Sequence, residues 1–130
     1  MKYEIAQMLK QGSGSIVNTA SANGVVAFPT FPLYTASKSA VIGLTKAAAL
    51  QYAKAGIRIN VVAPAVIETD MFEAAAGGQD EVNADMAGLH PIGRIGTPLE
   101  FANAVLFLSS DMASFTTGAT LLVDGGYVAQ

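Results

Sequence analysis

The sequence predicts an α/β fold: a doubly wound parallel sheet of about three strands, with helices packed against it. Three observations predict it. Two β-branched runs, Ser15–Ala20 and Ile57–Ala63, flank a proline-free, alanine-rich stretch from Tyr34 to Ala55. Strand, long helix, strand is a βαβ unit, whose strands run parallel and whose crossover is right-handed. A third run, Ala119–Asp124, follows another helical segment and adds a third parallel strand.

Each element carries its own signals. Met1 to Gln11 places Ile5, Met8 and Leu9 at helical spacing. Gly12 suits the left-handed position that ends a helix. The segment Asn23 to Pro32 reads as loop, marked by Gly24, Pro29 and Pro32. Lys54 and Gly56 close the long helix. Along it, Ala36, Ala40, Gly43 and Ala47 form a stripe of small residues. The stripe suits either packing on the sheet or a helix–helix contact between subunits. The Ile57–Ala63 run ends in nearly continuous apolar residues, the pattern of a strand buried on both faces.

Residues 68–96 are the least regular part, with Gly77, Gly78, Gly88, Pro91, Gly93 and Gly96 among short helical patches. Long irregular segments in compact domains are commonly functional, and this one is expected to be a flexible substrate loop. Met71, Phe72, Met86 and Leu89 suit either a substrate lid or ordinary anchoring in a core. Thr97-Pro98-Leu99-Glu100 is a capping box with proline at the first helical position. Phe101, Val105, Phe107 and Leu108 give that helix its apolar face.

Composition narrows the function. The chain of 130 residues suits one domain, 1–130. Charged residues make up only 13%, against 52% hydrophobic, so much surface must be buried in a core or against partners. A net charge of −3 without a Lys/Arg cluster argues against nucleic-acid binding. No apolar run approaches the ~18 residues of a membrane span. MKYEIAQMLK is not a signal peptide, and the default compartment is the cytoplasm. Without cysteine there is no disulfide framework and no thiolate metal site. Glu68, Asp70 and Glu73 cluster without a histidine at ligand spacing, so no metal is expected. The sole histidine, His90, is expected in a solvent-exposed loop rather than on substrate. No G-x-S-x-G elbow supports a serine hydrolase.

The chemistry concentrates in Ser21–Lys38. Tyr34 and Lys38 lie four apart on one helical face. Ser21 follows the first strand, at the carboxyl edge where open parallel sheets bind ligands. Each signal alone has little specificity; a strand-end serine commonly bonds backbone. Together they suit proton transfer. A phenol, with a pKa near ~10, is a poor base at neutral pH. A nearby ammonium favours the phenolate. Tyr34 would then take or give a hydroxyl proton while Ser21 orients the same oxygen. None of these groups accepts hydride, so a cofactor is implied.

Ser21, Tyr34 and Lys38 resemble the short-chain dehydrogenase/reductase family, and other blocks agree along the whole chain. SGSIVNTAS is similar to the family's serine strand and YTASKSAVIGLTKAAALQYA to its tyrosine helix. IRINVVAPAVIETDM is similar to the following strand and loop, and HPIGRIGTPLEFANAVLFLSSDMASFTTGATLLVDGG to the C-terminal block. The resemblance implies a Rossmann-like domain, of which this chain is the C-terminal half with the N-terminal strands absent. It implies an NAD(P)-dependent oxidoreductase that interconverts an alcohol and a ketone by hydride transfer. Tyr34 would be the acid/base, with Lys38 assisting it and bonding the nicotinamide ribose. Ser21 would orient the substrate oxygen. Pro64, Ile67 and Thr69 would line the cofactor, the last two at the nicotinamide carboxamide; the family's usual Pro-Gly is Pro64-Ala65 here. NAD and NADP both remain open, and a homodimer or homotetramer is expected.

The family's glycine-rich phosphate loop is absent, since Gly12-Ser13-Gly14-Ser15 precedes a strand rather than a helix. The contrasting expectation is therefore a truncated, inactive fragment that acts only through association with another chain, by way of an open sheet edge.

Overall fold

An eight-residue strand, β2 (Ile57–Pro64), lies at the middle of a parallel sheet, between β1 (Gly14–Thr19) and β3 (Thr120–Val123). The structure is a computed structural model that describes residues 1–77 and 80–130. Gly14 stands opposite Ile57 and Thr19 opposite Val62; on the other side, Val61 faces Thr120 and Pro64 faces Val123. The sheet therefore matches the expected three parallel strands.

β2 is buried on both faces, as its apolar run requires. Ile57, Ile59, Val61 and Ala63 face α1 (Lys2–Gln11) and α2 (Pro32–Tyr52), meeting Ile5, Ile42, Ala48 and Ala49. Val62 points the other way, into Leu108 of α5 (Pro98–Ser109) and Ala113. Fully burying each such side chain contributes ~1.5–3 kcal/mol. The strand order advances in one direction while α2 and α5 lie on opposite faces. The two crossovers therefore have opposite hands. The short β1–α2–β2 unit takes the strongly preferred right hand, and the long connection 65–119 takes the other.

Polar side chains lock these layers. Asn18 on β1 donates to the buried Thr45 hydroxyl of α2 at 2.8 Å. Fully buried Asn60 donates to Thr116 O at 2.9 Å and accepts from Ala119 N at 3.0 Å, which fixes the turn entering β3. Arg58 donates to Leu108 O at 2.8 Å and Ser110 O at 3.0 Å, and Ser15 Oγ donates to Leu108 O at 3.1 Å. The Leu108 carbonyl at the end of α5, which has no partner within the helix, is thus satisfied by β1 and β2, while Ser110 N meets the carbonyls of Leu106 and Phe107.

Two local features differ from the sequence reading, and a third is decided between its two alternatives. The long helix starts at Pro32, since proline fits the first helical position, and its end tightens into a 3₁₀ turn at Ala53–Ala55. The region 68–96 is more helical than its glycines suggest, with α3 (Asp70–Ala76) and α4 (Asp80–Gly88). Gly77 ends α3; Gly78 lies outside the described residues. The small-residue stripe of α2 does not pack on the sheet: Ala36, Ala40, Gly43 and Ala47 are all exposed. The sheet-facing side of α2 is Ile42, Thr45, Ala48 and Ala49. Among the described residues no helix is long and apolar enough to cross a membrane.

The capping box at α5 forms as expected: Thr97 Oγ1 accepts from Glu100 N, and Glu100 Oε2 accepts from Thr97 N at 2.8 Å. Arg94 adds two bonds to the same carboxylate, at 2.6 and 2.9 Å. The Arg94 bond, followed by those from the Thr97 backbone and hydroxyl, lowers the Glu100 pKa from 4.5 to about 2. A carboxyl with a lowered folded-state pKa contributes stability above its unfolded pKa and loses it as pH falls through the folded one. Wild type should therefore lose its advantage over Glu100→Gln between pH 4.5 and pH 2. The pair is exposed, so added salt should shrink the difference. Thermal unfolding of both proteins across that range checks this; a constant gap down to pH 2 would contradict it.

Candidate functional site

The carboxyl ends of β1 and β2 bring three of the expected segments to one edge. Ala20 N donates to Val62 O at 2.9 Å, extending the β1–β2 ladder by one bond. Ser21 follows at once, buried to 7% exposure. Its oxygen accepts from Asn23 N at 3.2 Å and so caps the 3₁₀ turn Ala22–Gly24. This is the backbone role a strand-end serine commonly takes. It also leaves the hydroxyl hydrogen available, because among the described residues Ser21 donates to no acceptor.

That turn is held against α2. A Cβ on Gly24 would lie 2.9 Å from the Lys38 carbonyl carbon and 3.0 Å from its oxygen, so only glycine allows this approach. Ser39 Oγ donates to Gly24 O at 3.0 Å and fastens the same contact. Tyr34 sits in the first turn of α2 and Lys38 one turn on, with Lys38 Nζ 5.5 Å from the Tyr34 ring centroid. The phenol is 44% exposed and Lys38 is half-buried. Among the described residues Lys38 meets no carboxylate, and no hydrogen bond joins Ser21, Tyr34 and Lys38 side chains. The three stand around an open edge rather than bonded to one another.

The second wall is the loop after β2. Pro64 ends the strand, and Ala65 N donates to Val123 O at 3.2 Å. Gly96 N donates to Val66 O at 2.9 Å, and Glu68 N to Gly96 O at 2.8 Å. This parallel bridge between Ile67 and Gly96 turns the Ile67 N–H and C=O away from Gly96. The Thr69 hydroxyl accepts from Phe72 N at 3.3 Å as the cap of α3, and reaches Ile67 O at 3.4 Å. An outward backbone N–H at Ile67 beside a threonine hydroxyl suits an amide ligand such as a carboxamide. The residues present therefore fit the group the resemblance implies.

His90 corrects the sequence reading. It is 3% exposed, not a solvent-facing loop residue. Its Nδ1 lies 2.7 Å from Met86 O, a group that only accepts, so Nδ1 carries the proton. Its Nε2 therefore accepts from Val66 N at 3.4 Å. Both ring nitrogens are engaged and neither is left for substrate. No sequence signal pointed to this, because the partner Val66 lies far upstream. Ser39 was also missed; nothing marks a helix serine as the partner of a loop carbonyl. Met71 is 81% exposed, whereas Phe72, Met86 and Leu89 are half-buried.

The profile of a family described as Enoyl-(Acyl carrier protein) reductase matches residues 1–128. The chain belongs to the short-chain dehydrogenase/reductase family. It is 48% identical over 130 residues to a cyclohexanol dehydrogenase of Acinetobacter sp., covering 100% of this chain and 49% of that protein. It is 46% identical over 130 residues to a 2,5-dichloro-2,5-cyclohexadiene-1,4-diol dehydrogenase of Sphingobium indicum, covering 99% and 52%. Among solved structures, ElxO with NADP bound superposes with a TM-score of 0.92 at 41% identity, over 100% of this chain and 52% of that one. A ligand-free aldohexose dehydrogenase of Thermoplasma acidophilum gives 0.93 at 39% identity, over 99% and 53%. The chain thus spans about half the length of the curated relatives it matches.

The contact between the Gly24 turn and α2 should control the Ser21 position. Gly24→Ala should cost ~1–3 kcal/mol, as a clash in a close contact does. Ser39→Ala should cost ~1 kcal/mol, the value of one hydrogen bond. Both should speed exchange of the Asn23 amide. Urea unfolding with amide exchange measures this, and unchanged values would show that the contact positions nothing.

Proposed function

We propose that the chain carries the proton-transfer half of an NAD(P)-dependent oxidoreductase that interconverts a secondary alcohol and a ketone. One observation carries the reading. Tyr34 and Lys38, 5.5 Å apart from ring to ammonium, stand on a helix pinned to the Ser21 turn at the carboxyl edge of a parallel sheet. The names of relatives give it further support: three are called dehydrogenases of cyclohexanol, a cyclohexadiene diol and a hydroxycyclohexanecarboxylate. Solved relatives hold NADP or NADPH, and either NAD or NADP suits the residues here. A cyclic secondary alcohol is the substrate class these names favour.

Bound nicotinamide would supply the hydride acceptor. The Ser21 hydroxyl, capped from behind by Asn23 N–H, donates its hydrogen to the substrate oxygen and orients the carbinol. Tyr34 takes the hydroxyl proton in oxidation and returns it in reduction. The Lys38 ammonium offsets charge growing on the phenol oxygen and would bond the nicotinamide ribose. The Ile67 N–H and the Thr69 hydroxyl would hold the carboxamide, with Pro64 supporting the loop.

The exposed stripe Ala36, Ala40, Gly43 and Ala47, flanked by Leu33 (86%), Leu44 (59%) and Leu50 (83%), supports a second copy against α2. Small residues allow close helix approach and the leucines supply apolar area. A homodimer or homotetramer through this face is part of the proposal. The contrasting reading is a chain that acts only by association. It draws on β1, which pairs only with β2 among the described residues and leaves its other edge open.

Two measurements test these readings. In the first, binding of NADH and NADPH is titrated, and oxidation of cyclohexanol is followed with NAD+ or NADP+ as the hydride acceptor. Tyr34→Phe should lower turnover ~10²–10⁴-fold, the range for losing a general acid/base. Ser21→Ala should lower it ~10²-fold or more, as loss of an oxyanion donor does. No binding of either nucleotide at millimolar concentration would sink the enzyme reading for this chain. In the second, light scattering should show an oligomer for the wild type and a smaller species for Ala40→Glu. A wild-type monomer would remove the α2 interface.

A further inference from the structure

We propose that His90 is a positioning residue: it ties the loop 64–69 to the end of α4 and so sets how the Ile67 N–H is presented. This rests on the reading of that loop as the one that meets the carboxamide. Among the described residues, four bonds tie the stretch from Ala65 to Glu68 to residues beyond the loop. Three involve β3 and Gly96: Ala65 N to Val123 O at 3.2 Å, Gly96 N to Val66 O at 2.9 Å, and Glu68 N to Gly96 O at 2.8 Å. The fourth, Val66 N to His90 Nε2 at 3.4 Å, is the only one that reaches the region of α4. It uses a side chain because Val66 N–H meets no backbone carbonyl among the described residues.

The imidazole is built for that role. It is 3% exposed, and its Nδ1 is fixed by Met86 O at 2.7 Å, one turn back. The Tyr127 ring lies 5.8 Å away, centroid to centroid, at 37°. Gly125 meets its other side, where an added Cβ would come 3.4 Å from His90 Cβ. The ring thus has one orientation, with an acceptor nitrogen aimed at Val66. Residues 80–88 belong to the candidate substrate segment, and His90 makes their placement and that of the carboxamide loop interdependent. A shift of the α4 end carries the Val66 acceptor with it. His90 touches neither ligand in this arrangement and acts through Val66.

Two substitutions separate the ring's two bonds. Asparagine at this position reaches only as far as Nδ1, so His90→Asn keeps the bond to Met86 O and loses the acceptor for Val66. Glutamine reaches the Nε2 position, so His90→Gln keeps an acceptor for Val66. Both leave space around Tyr127 and should lower the unfolding midpoint similarly. Amide exchange of Val66 in the unliganded chain should rise about five- to tenfold in His90→Asn, the fold-change for one hydrogen bond, and stay near wild type in His90→Gln. NADPH titration should show a dissociation constant raised by the same factor in His90→Asn alone, with turnover at saturating cofactor little changed. Wild-type exchange in His90→Asn, or equal exchange in the two variants, would overturn the proposal. Failure of wild type to bind NADH or NADPH would instead overturn the functional reading, and the exchange comparison would still decide the role of His90.

Discussion

The burial of the middle of β2 is the constraint on which the other features depend. Ile59, Asn60, Val61, Val62 and Ala63 are all fully buried. A strand in that position needs a cover on each face and a neighbour on each edge. The alternation of its side chains assigns α1 and α2 to one face and α5 to the other. Its polar members are turned to use: Arg58 closes the end of α5, and Asn60 holds the turn before β3. A buried amide without partners would cost ~1–3 kcal/mol, so Asn60 also specifies which turn must pack there. The carboxyl end of this same strand places the loop 64–69 beside the Ser21 turn.

From that strand the site follows by two short-range contacts. The β1–β2 ladder continues through Ala20, which leaves Ser21 at the edge. The Gly24 turn then abuts α2 at Lys38, so serine and lysine are held by one backbone contact rather than by a bond between their side chains. This suits a proton-transfer site. Side chains bonded tightly to each other would have to release those bonds to receive a ligand. Here Ser21 keeps its hydrogen, and Tyr34 and Lys38 remain partly open to solvent.

The two connections of the sheet differ in character. The β1–α2–β2 unit is a simple crossover whose helix places Tyr34 and Lys38 in its first turns. The β2–β3 connection is long, holds α3, α4 and α5, and returns on the opposite face. Its length allows the unusual hand, because no single helix must span directly between neighbouring strands. The same length brings His90 back to Val66 and Gly96 back to Ile67, and these returns fix the loop that forms the second wall of the site.

Much of this was legible in the residues. Periodicity placed all three strands and the long helix, because β-branched runs and an uninterrupted alanine-rich stretch are local signals. The capping box at Thr97 marked the start of α5 because both partners lie within four residues. Ser21, Tyr34 and Lys38 were legible as a set because strand end and helix start return to one sheet edge. Three features needed the tertiary structure. The small-residue stripe could face sheet or solvent, and only the packed side, Ile42 to Ala49, decided it. His90 looked like an exposed loop residue, but it closes a bond to a backbone N–H far away in sequence. The Gly24–Lys38 contact and its Ser39 fastener arise only when loop and helix meet. Local sequence determines which elements form and which chemical groups they carry. Their partners across the fold are decided by packing, since burial of a polar group depends on everything that surrounds it.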